Sequence, residues 1–329
     1  VARVGVVTIG RNEGERLRAC LESVIDRVAN VVYVDSGSTD GSVELARSVG
    51  ADVVELDMSI PFTAARARNA GYQRLMQSPA NVDYVQFVDG DCEVAEGWVE
   101  TASKDLDDHP EAAAVWGHLR ERYPDASVYN KLASMEWDWD LPFGDVETFG
   151  GIVMVRVEAI QQAGGYNPAI IAGEEREFAA RLLEQGWRIR RIDAEMVLHD
   201  VAMNEFSQWW RRSKRTGHAY AEGNWTRRHE KVRYWQSELR SILIWGIVLP
   251  LVILLLVPCT LGLSLLLIAL YFIQAYRIKK YMLSRGYPSQ DAGLYARHLV
   301  LGKIPNGLGV IKYHYDRLRG RTRQIIEYK

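Results

Sequence analysis

Residues 86–94 read QFVDGDCEV, two aspartates around one glycine, directly after an apolar run that has the look of a buried strand. Asp-Gly is ordinary turn chemistry, because glycine takes positive φ without steric cost. Closely spaced carboxylates can also be aimed at a metal ion, so the surrounding pattern has to choose. Upstream, VGVVTI (4–9), VVYVD (31–35), DVVEL (52–56) and DYVQFVD (83–89) read as four strands. Between them, residues 13–28 put Leu17, Leu21, Val24 and Val28 at helical spacing. SGSTDGSVELARSVG gives a turn and a short helix, and residues 63–77 give a third helix. A helix around 96–107, a strand around 113–122 and a helix near 127–138 follow. This alternation argues for an α/β domain, a mostly parallel sheet flanked by helices. In such sheets ligands bind beyond the carboxyl ends of the strands. Thr8 to Glu13, Asp35, Asp89 and Asp91 all fall there. A GxGxxG turn after the first strand and a GxxxxGK[ST] loop are both missing, which argues against redox dinucleotides and phosphate-loop chemistry.

The charge is unevenly distributed. The 329 residues carry a net charge of −2, yet residues 277–329 hold twelve Lys/Arg against Asp291, Asp316 and Glu327. That tail is +9, and the first 276 residues are therefore −11. Immediately before it, Ile242–Ala275 runs for 34 residues without Lys, Arg, Asp, Glu or His. One membrane span needs about 20 apolar residues, so the run is long for one helix and short for two. Pro258, Thr260 and Gly262 mark a break in its middle. Both flanks are basic, from Arg211 to Arg233 upstream and at Arg277, Lys279 and Lys280 downstream. Because Lys/Arg excess marks the cytoplasmic side, a hairpin with both ends in the cytoplasm is expected, and the mixed apolar and basic tail is expected to lie on an anionic leaflet. Nucleic acid is not expected as a partner, since the tail carries no recognised binding motif. Cys20, Cys92 and Cys259 show no zinc spacing and fit a reducing compartment. The start VARVGVVTIG reads as a β run without a secretory signal. The expected division is a catalytic domain at 1–222, a basic juxtamembrane segment at 223–241, a transmembrane or re-entrant hairpin at 242–276 and an interfacial tail at 277–329.

The ordered set of segments resembles glycosyltransferase family 2, the inverting nucleotide-sugar transferases of GT-A fold. TIGRNEGERLRACLESV resembles that family's opening strand, Asn-Glu and helix. YVDSGSTDGS resembles its VDDGSTDGT segment, with Ser36 in place of the second aspartate. ARARNAG, FVDGDCEV and AGGYNPAIIAGEEREFAARLLEQGWRI resemble its ARNxG, DXD and GG[FY]…EDxxLxxR segments. The resemblance covers roughly residues 1–220. It implies that Thr8, Glu13, Asp35, Arg68 and Asp89 line the nucleotide-sugar site, and that Asp91 ligates Mg²⁺ or Mn²⁺. His199, in VLHDVA, is a second candidate ligand. Hard divalent cations favour carboxylate, phosphate and water oxygens, which suits a site completed by a diphosphate. In GEERE, Glu175 takes the place of the family's proton-accepting aspartate. The longer side chain keeps Glu174 as a competing base, since general-base catalysis depends on reach. SQWWRRSKRTG resembles the QxxRW region, with Gln208 and Arg211 matching and Arg212 at the tryptophan position. Gln208 and Arg211 are thus donor-site candidates, and Trp209 and Trp210 acceptor-site candidates. Loss of the family's tryptophan points to single addition rather than processive synthesis.

The expectation is therefore a metal-dependent, inverting transferase at the cytoplasmic face of the inner membrane. It would pass a sugar, UDP-linked for preference, to a hydroxyl of a lipid-linked glycan involved in polysaccharide biosynthesis. A polyprenyl phosphate acceptor, a sugar-phosphate nucleotidylyltransferase and a non-catalytic membrane scaffold are the alternatives. TIGRNEG is a poor match to the nucleotidylyltransferase loop, and retention of Asp35, Asp89, Asp91 and Glu175 argues against a scaffold.

Overall fold

The computed structural model of the chain describes residues 3–79, 81–137, 142–232, 234–320 and 326. Position 138, Arg233 and the tail residues Arg321, Arg323, Glu327 and Lys329 lie outside them. The chain forms two compact units, one of residues 1–123 with 136–201, the other of residues 124–135 with 202–329.

In the first unit the order is β1 (Val4–Gly10), α1 (Glu15–Glu22), β2 (Asn30–Asp35), α2 (Ser42–Ser48), β3 (Asp52–Glu55), α3 (Ala64–Met76) and β4 (Tyr84–Asp89). Then come β5 (Cys92–Val94), α4 (Trp98–Asp108), β6 (Ala112–Glu121), the end of α5 (Val128–Trp137), β7 (Gly144–Val146), β8 (Val153–Arg156), α6 (Val157–Ala163), α7 (Glu174–Glu184) and β9 (Arg188–His199). The strands make one sheet in the order β3-β2-β1-β4-β8-β6-β9-β5, with β7 also on β9. The β1–β2, β1–β4, β2–β3 and β6–β9 pairs are parallel, while β4–β8, β6–β8, β5–β9 and β7–β9 are antiparallel. The sheet is mixed, which corrects the mostly parallel expectation. Helices α1, α2 and α3 link the first four strands as crossovers, but β5, β7 and β8 are short strands whose direction depends on distant partners. A strand buried on both faces reads as a continuous apolar run, and β1, β2 and β4 do so. One core packs α1 and α4 on one face through Leu17, Leu21, Trp98 and Leu106. The other packs α3, α6 and α7 on the opposite face through Ala67, Leu75, Ile160 and Phe178.

The second unit contains the start of α5, α8 (Phe206–Thr226), α9 (Gln236–Ile242), a π-helical stretch Leu243–Val248, α10 (Leu249–Leu256), a 3-10 stretch Leu263–Ile268, α11 (Ala269–Ser284), α12 (Ser289–Leu301) and α13 (Lys303–Leu318). Gln236–Leu256 is one helix long and apolar enough to cross a membrane. It stops at the anticipated break, where Leu261 and Gly262 take φ of 48° and 88°. Beyond it, Ser264 Oγ donates to the Ile253 carbonyl at 3.0 Å and Tyr271 Oη to the Trp245 carbonyl at 2.6 Å. Helices α8 and α13 touch backbone to backbone. A Cβ on Gly217 would stand 1.9 Å from the Asn306 carbonyl, and one on Gly309 2.0 Å from that of Lys214.

Candidate active site

The site residues of the first unit gather around the ends of β1, β2 and β4. Thr63 caps α3 by accepting from the Arg66 amide at 3.1 Å. This starts a helix that carries Arg68 and Asn69 inward. Asn69 clamps the Gly165–Tyr166 turn, donating to the Tyr166 carbonyl at 2.7 Å and accepting from its amide at 2.9 Å. Gly173, at φ 85°, opens α7, and Glu174 and Glu175 follow at once on its first turn. Arg181 pairs with Glu177 at 2.8 Å and donates to the Gly165 carbonyl at 2.6 Å, tying α7 to the same turn.

These supports bring Arg68 among three carboxylates. Its Nη1 donates to Glu174 Oε1 at 2.7 Å and lies 3.6 Å from Glu175 Oε1, while Nη2 is 3.1 Å from Asp89 Oδ1. Tyr166 lies under the guanidinium, 5.5 Å to its ring centre. Arg68 and Glu174 are buried, whereas Asp89 and Glu175 keep 35% and 21% of their side chains exposed. Exposure thus separates the pair of glutamates: Glu174 braces Arg68, and Glu175 faces outward. Burial disfavours the charge on Arg68, but Asp89, Glu175 and Glu174 outweigh it and push its pKa up. Burial first, then the charge of Glu174, holds the Glu175 carboxyl up to about 7 against the opposing pull of Arg68. Gly151 forms the wall here. A Cβ at this position would come 2.7 Å from Arg68 Nη2, 3.3 Å from Asp89 Oδ2 and 3.4 Å from Glu175 Oε1.

Beside β2, Asp35 accepts from Tyr33 Oη at 3.0 Å and from the amides of Gly37 and Ser38 at 2.9 Å each. Asp35 therefore also builds the turn after β2. Asn12 cross-links this turn to the one after β1 by accepting from the Thr39 amide at 2.8 Å. The result is a recess of about 220 Å³ lined by Asp35, Gly37, Ser38 and Leu56 among others. Glu13 pairs with Arg16 at 2.8 Å, and its side chain lies against Gly10 and Gly90 at the ends of β1 and β4. Thr8 is placed differently from the expectation. It is fully buried two residues inside β1, with its hydroxyl 3.9 Å from Cys20 Sγ.

Asp91 and His199 meet because β5 and β9 pair antiparallel, with Cys92 opposite His199. Asp91 Oδ2 is 3.3 Å from His199 Nε2, and Asp91, Cys92 and His199 form a cluster able to hold an ion. Neighbouring ligands of an octahedral Mg²⁺ or similar ion stand roughly 3 Å apart, so the Asp91–His199 separation fits. His199 Nδ1 faces the buried Glu121 at 3.8 Å, and the Trp137 ring meets the imidazole edge-on at 4.4 Å. A carboxylate behind a ligating imidazole orients it. Glu121, Trp137, Asn69, Tyr166 and Gly151 were not singled out from sequence. Of these, Asn69, inside ARNAG, and Tyr166, inside AGGYN, sat in legible signals.

The remaining candidates belong to the second unit. Gln208 caps α8, accepting from the Asn204 and Glu205 amides at 2.8 and 2.9 Å. Trp209 is only 4% exposed, stacked near Tyr129 with His298 edge-on at 5.2 Å. Its faces are taken up by packing, so it is not an open platform for a sugar. Trp210 is half-buried beside Phe206, and Arg211 is exposed.

Residues 5–155 match the family model described as Glycosyl transferase family 2, and residues 130–203 match that described as the N-terminal domain of galactosyltransferase. Among curated proteins, glycosyltransferase AglE of Haloferax volcanii is 24% identical over 198 residues, 56% of this chain and 63% of its own length. The pre-mycofactocin glycosyltransferase of Mycobacterium tuberculosis is 28% identical over 208 residues, 60% of this chain and 42% of its own. A TPR repeat-containing protein of Synechococcus elongatus is 33% identical over 136 residues, 41% of this chain and 32% of its own. The chain thus matches from a third to under two thirds of these relatives' lengths. Among solved structures, a mannosyltransferase of Pyrobaculum calidifontis in complex with GDP-Man and Mn²⁺ superposes with a TM-score of 0.64 at 19% identity. That match covers 96% of this chain and 88% of that one, and it shows a shared fold.

Proposed function

We propose, from the premise that residues 5–155 belong to glycosyltransferase family 2, that this chain moves a sugar from a nucleoside diphosphate to an acceptor hydroxyl with inversion. The observation that carries the reading is Glu175, partly exposed on the first turn of α7 and held near pH 7 beside Arg68 and Asp89. A base poised near the working pH is what general-base catalysis favours. The hydroxyl oxygen bonds to the anomeric carbon from the face opposite the nucleotide as its proton passes to the Glu175 carboxylate. The bond from that carbon to the diphosphate oxygen breaks with its electron pair leaving on the nucleotide. Glu174 and Asp89 keep Arg68 fixed, while burial and the Glu174 charge hold the Glu175 carboxyl up and Arg68 partly offsets them. Asp35 and Glu13 would face the nucleotide.

Asp91 and His199 would hold Mg²⁺ or Mn²⁺, which when bound supplies neutralisation of the charge developing on the diphosphate. The mannosyltransferase solved with Mn²⁺ supports that choice of ion. A polyprenyl phosphate acceptor is already nucleophilic and would leave Glu175 no proton to take, so the geometry favours a hydroxyl. The apolar helix Gln236–Leu256 and the return contacts at Ser264 and Tyr271 support a membrane hairpin, and its basic flanks support a cytoplasmic site suited to a lipid-linked acceptor.

The test is hydrolysis and transfer by the purified chain across UDP-, GDP- and dTDP-sugars, with and without Mn²⁺. Metal-dependent release of nucleoside diphosphate from one donor, abolished in Asp91→Asn, is expected. No release from any donor would overturn the reading.

A further inference from the structure

Helices α11 and α12 pack through Met282 and Ala292, with Ile278, Tyr287 and Tyr295 around them. Beside that contact they part, leaving an open cavity of about 510 Å³. Its floor is made of the small residues Ala275, Gly293 and Ala296, and its rim of Lys279, Arg297, Ser289 and Gln290. Ligand sites commonly fall in this size range.

Three features give this cavity a chemical preference. The first is charge. Lys279 is half-buried and its Nζ lies 3.9 Å from where a Gly293 Cβ would stand, which places the ammonium across the groove over Gly293. Arg297 Nε donates to the Gly293 carbonyl at 3.1 Å, which fixes the guanidinium at the opposite edge. Between residues 277 and 315 the sequence has a single acid, Asp291, which stands 3.8 Å from Lys131 Nζ. The second is the start of α12 at Ser289 and Gln290, because the first amides of a helix point outward and favour an anion. The third is depth. Ala275 closes the charge-free run and Lys279 lies one turn beyond it on α11. If α11 leaves the bilayer there, the groove has an apolar floor on the lipid side and two cations at headgroup level.

We propose that this groove binds the phosphate of a membrane lipid, with Lys279 and Arg297 on the phosphate oxygens and the first carbons of the chain over Ala275, Gly293 and Ala296. The proposal rests on the membrane reading of the second unit and is independent of the chemistry at Glu175.

The experiment uses the full chain in detergent and records lipid adducts by native mass spectrometry. The probes are a polyprenyl phosphate, phosphatidic acid, phosphatidylcholine and inorganic phosphate. Saturable retention of one or both anionic lipids is expected, and whichever is retained identifies the source of the phosphate. Lys279→Gln with Arg297→Gln should lower it at least about tenfold, as charged hydrogen bonds are the stronger class. Gly293→Leu, which fills the groove without touching charge, should do the same. Native helical circular dichroism and a native melting transition in detergent report that the second unit of each variant is folded, and donor hydrolysis reports the first. Retention unchanged in both variants, or inorganic phosphate bound as well as the lipids, overturns the proposal. Carbonate extraction of the native chain from membranes separates the two readings. Release by carbonate sinks the membrane anchor and this site together, while a resistant chain with indifferent variants sinks this site alone.

Discussion

Glu175 and Glu174 are adjacent, of one chemical type and both near Arg68, yet the structure gives them different environments. Glu174 is buried against Arg68 at 2.7 Å, whereas Glu175 is 3.6 Å away, partly exposed, and raised to about 7. Glu175→Gln should cut transfer to a hydroxyl acceptor by about 10²–10⁴-fold, the usual span for a general base. The native kcat/KM should climb with pH through about 7, because only the ionised carboxylate takes a proton, and that limb should vanish in the variant. The stability effect has the opposite sense. A carboxyl raised from 4.5 to about 7 on folding keeps a proton that the unfolded chain gives up, so stability falls as pH rises across that window. Glu175→Gln should therefore gain Tm over the native chain at pH 8 and not at pH 4. A melting difference independent of pH would contradict this environment.

Arg68 is the counterpart. Removing one partner of a buried ion pair costs about 3–5 kcal/mol because the other is left uncompensated, and Arg68→Met leaves Asp89, Glu174 and Glu175 without their cation. Denaturant titration should show a deficit of that order at pH 8, shrinking toward pH 4 as the carboxylates take protons. Gly151→Ala tests the wall at the same point. Its methyl would meet Arg68 Nη2 at 2.7 Å, so the fold should persist while transfer falls at least tenfold, about what a 1.4 kcal/mol misplacement costs. Full activity in Gly151→Ala would show that Arg68 can give way without consequence.

Elements show what sequence can and cannot carry. The apolar runs of β1, β2 and β4 and the helical spacing of α1 and α3 are local signals, and the structure has those elements close to where the pattern put them. The helix expected over 13–28 is shorter, ending at Glu22 and followed by turns. The short strand β5 was hidden inside what read as a turn, since three residues give no period. Its partner β9 alternates charged and apolar residues, and its neighbours on the sheet lie far away in sequence. That pairing is what joins Asp91 to His199, so the resemblance offered both as candidate ligands while the pairing that brings them together, with Cys92 and Glu121 beside them, was not legible. The same limit explains Trp209. An exposed aromatic and a packed one look alike in sequence, and only the contacts with Tyr129 and His298 distinguish them. At α8 and α13 the close approach depends on glycine itself, which the sequence reading did not single out. Gly217→Ala or Gly309→Ala places a methyl within about 2 Å of a facing backbone atom, which neither helix can relieve by a rotamer change. Each should lower the melting temperature in detergent, and the double variant should add less than the sum because both act on one crossing.

At the scale of the molecule, the chain sorts its charge, acidic through residue 276 and basic after it. The last helix shows the consequence on one surface. Pro305, Val310, Tyr313 and Asp316 of α13 are buried, while Ile304, Leu308, Ile311, Tyr315 and Leu318 are exposed at alternating spacings of four and three. Such spacing puts the five side chains in one stripe along the helix. Its first turn also adjoins the apolar segment, where a Cβ on Gly246 would stand 2.0 Å from the Lys303 carbonyl. An exposed apolar stripe with cations beside it and a membrane segment against its start fits an anionic leaflet surface. Ile311→Cys, in a chain whose exposed Cys259 is replaced by serine, should react with an impermeant maleimide in detergent and be shielded in nanodiscs holding anionic lipid. Leu308→Asp with Ile311→Asp should lower turnover on vesicle-borne acceptors at least tenfold while donor hydrolysis stays intact. Equal labelling of Ile311→Cys in both media would remove the lipid surface as the occupant. Shielding in detergent that grows with protein concentration would assign the stripe to a second copy of the chain.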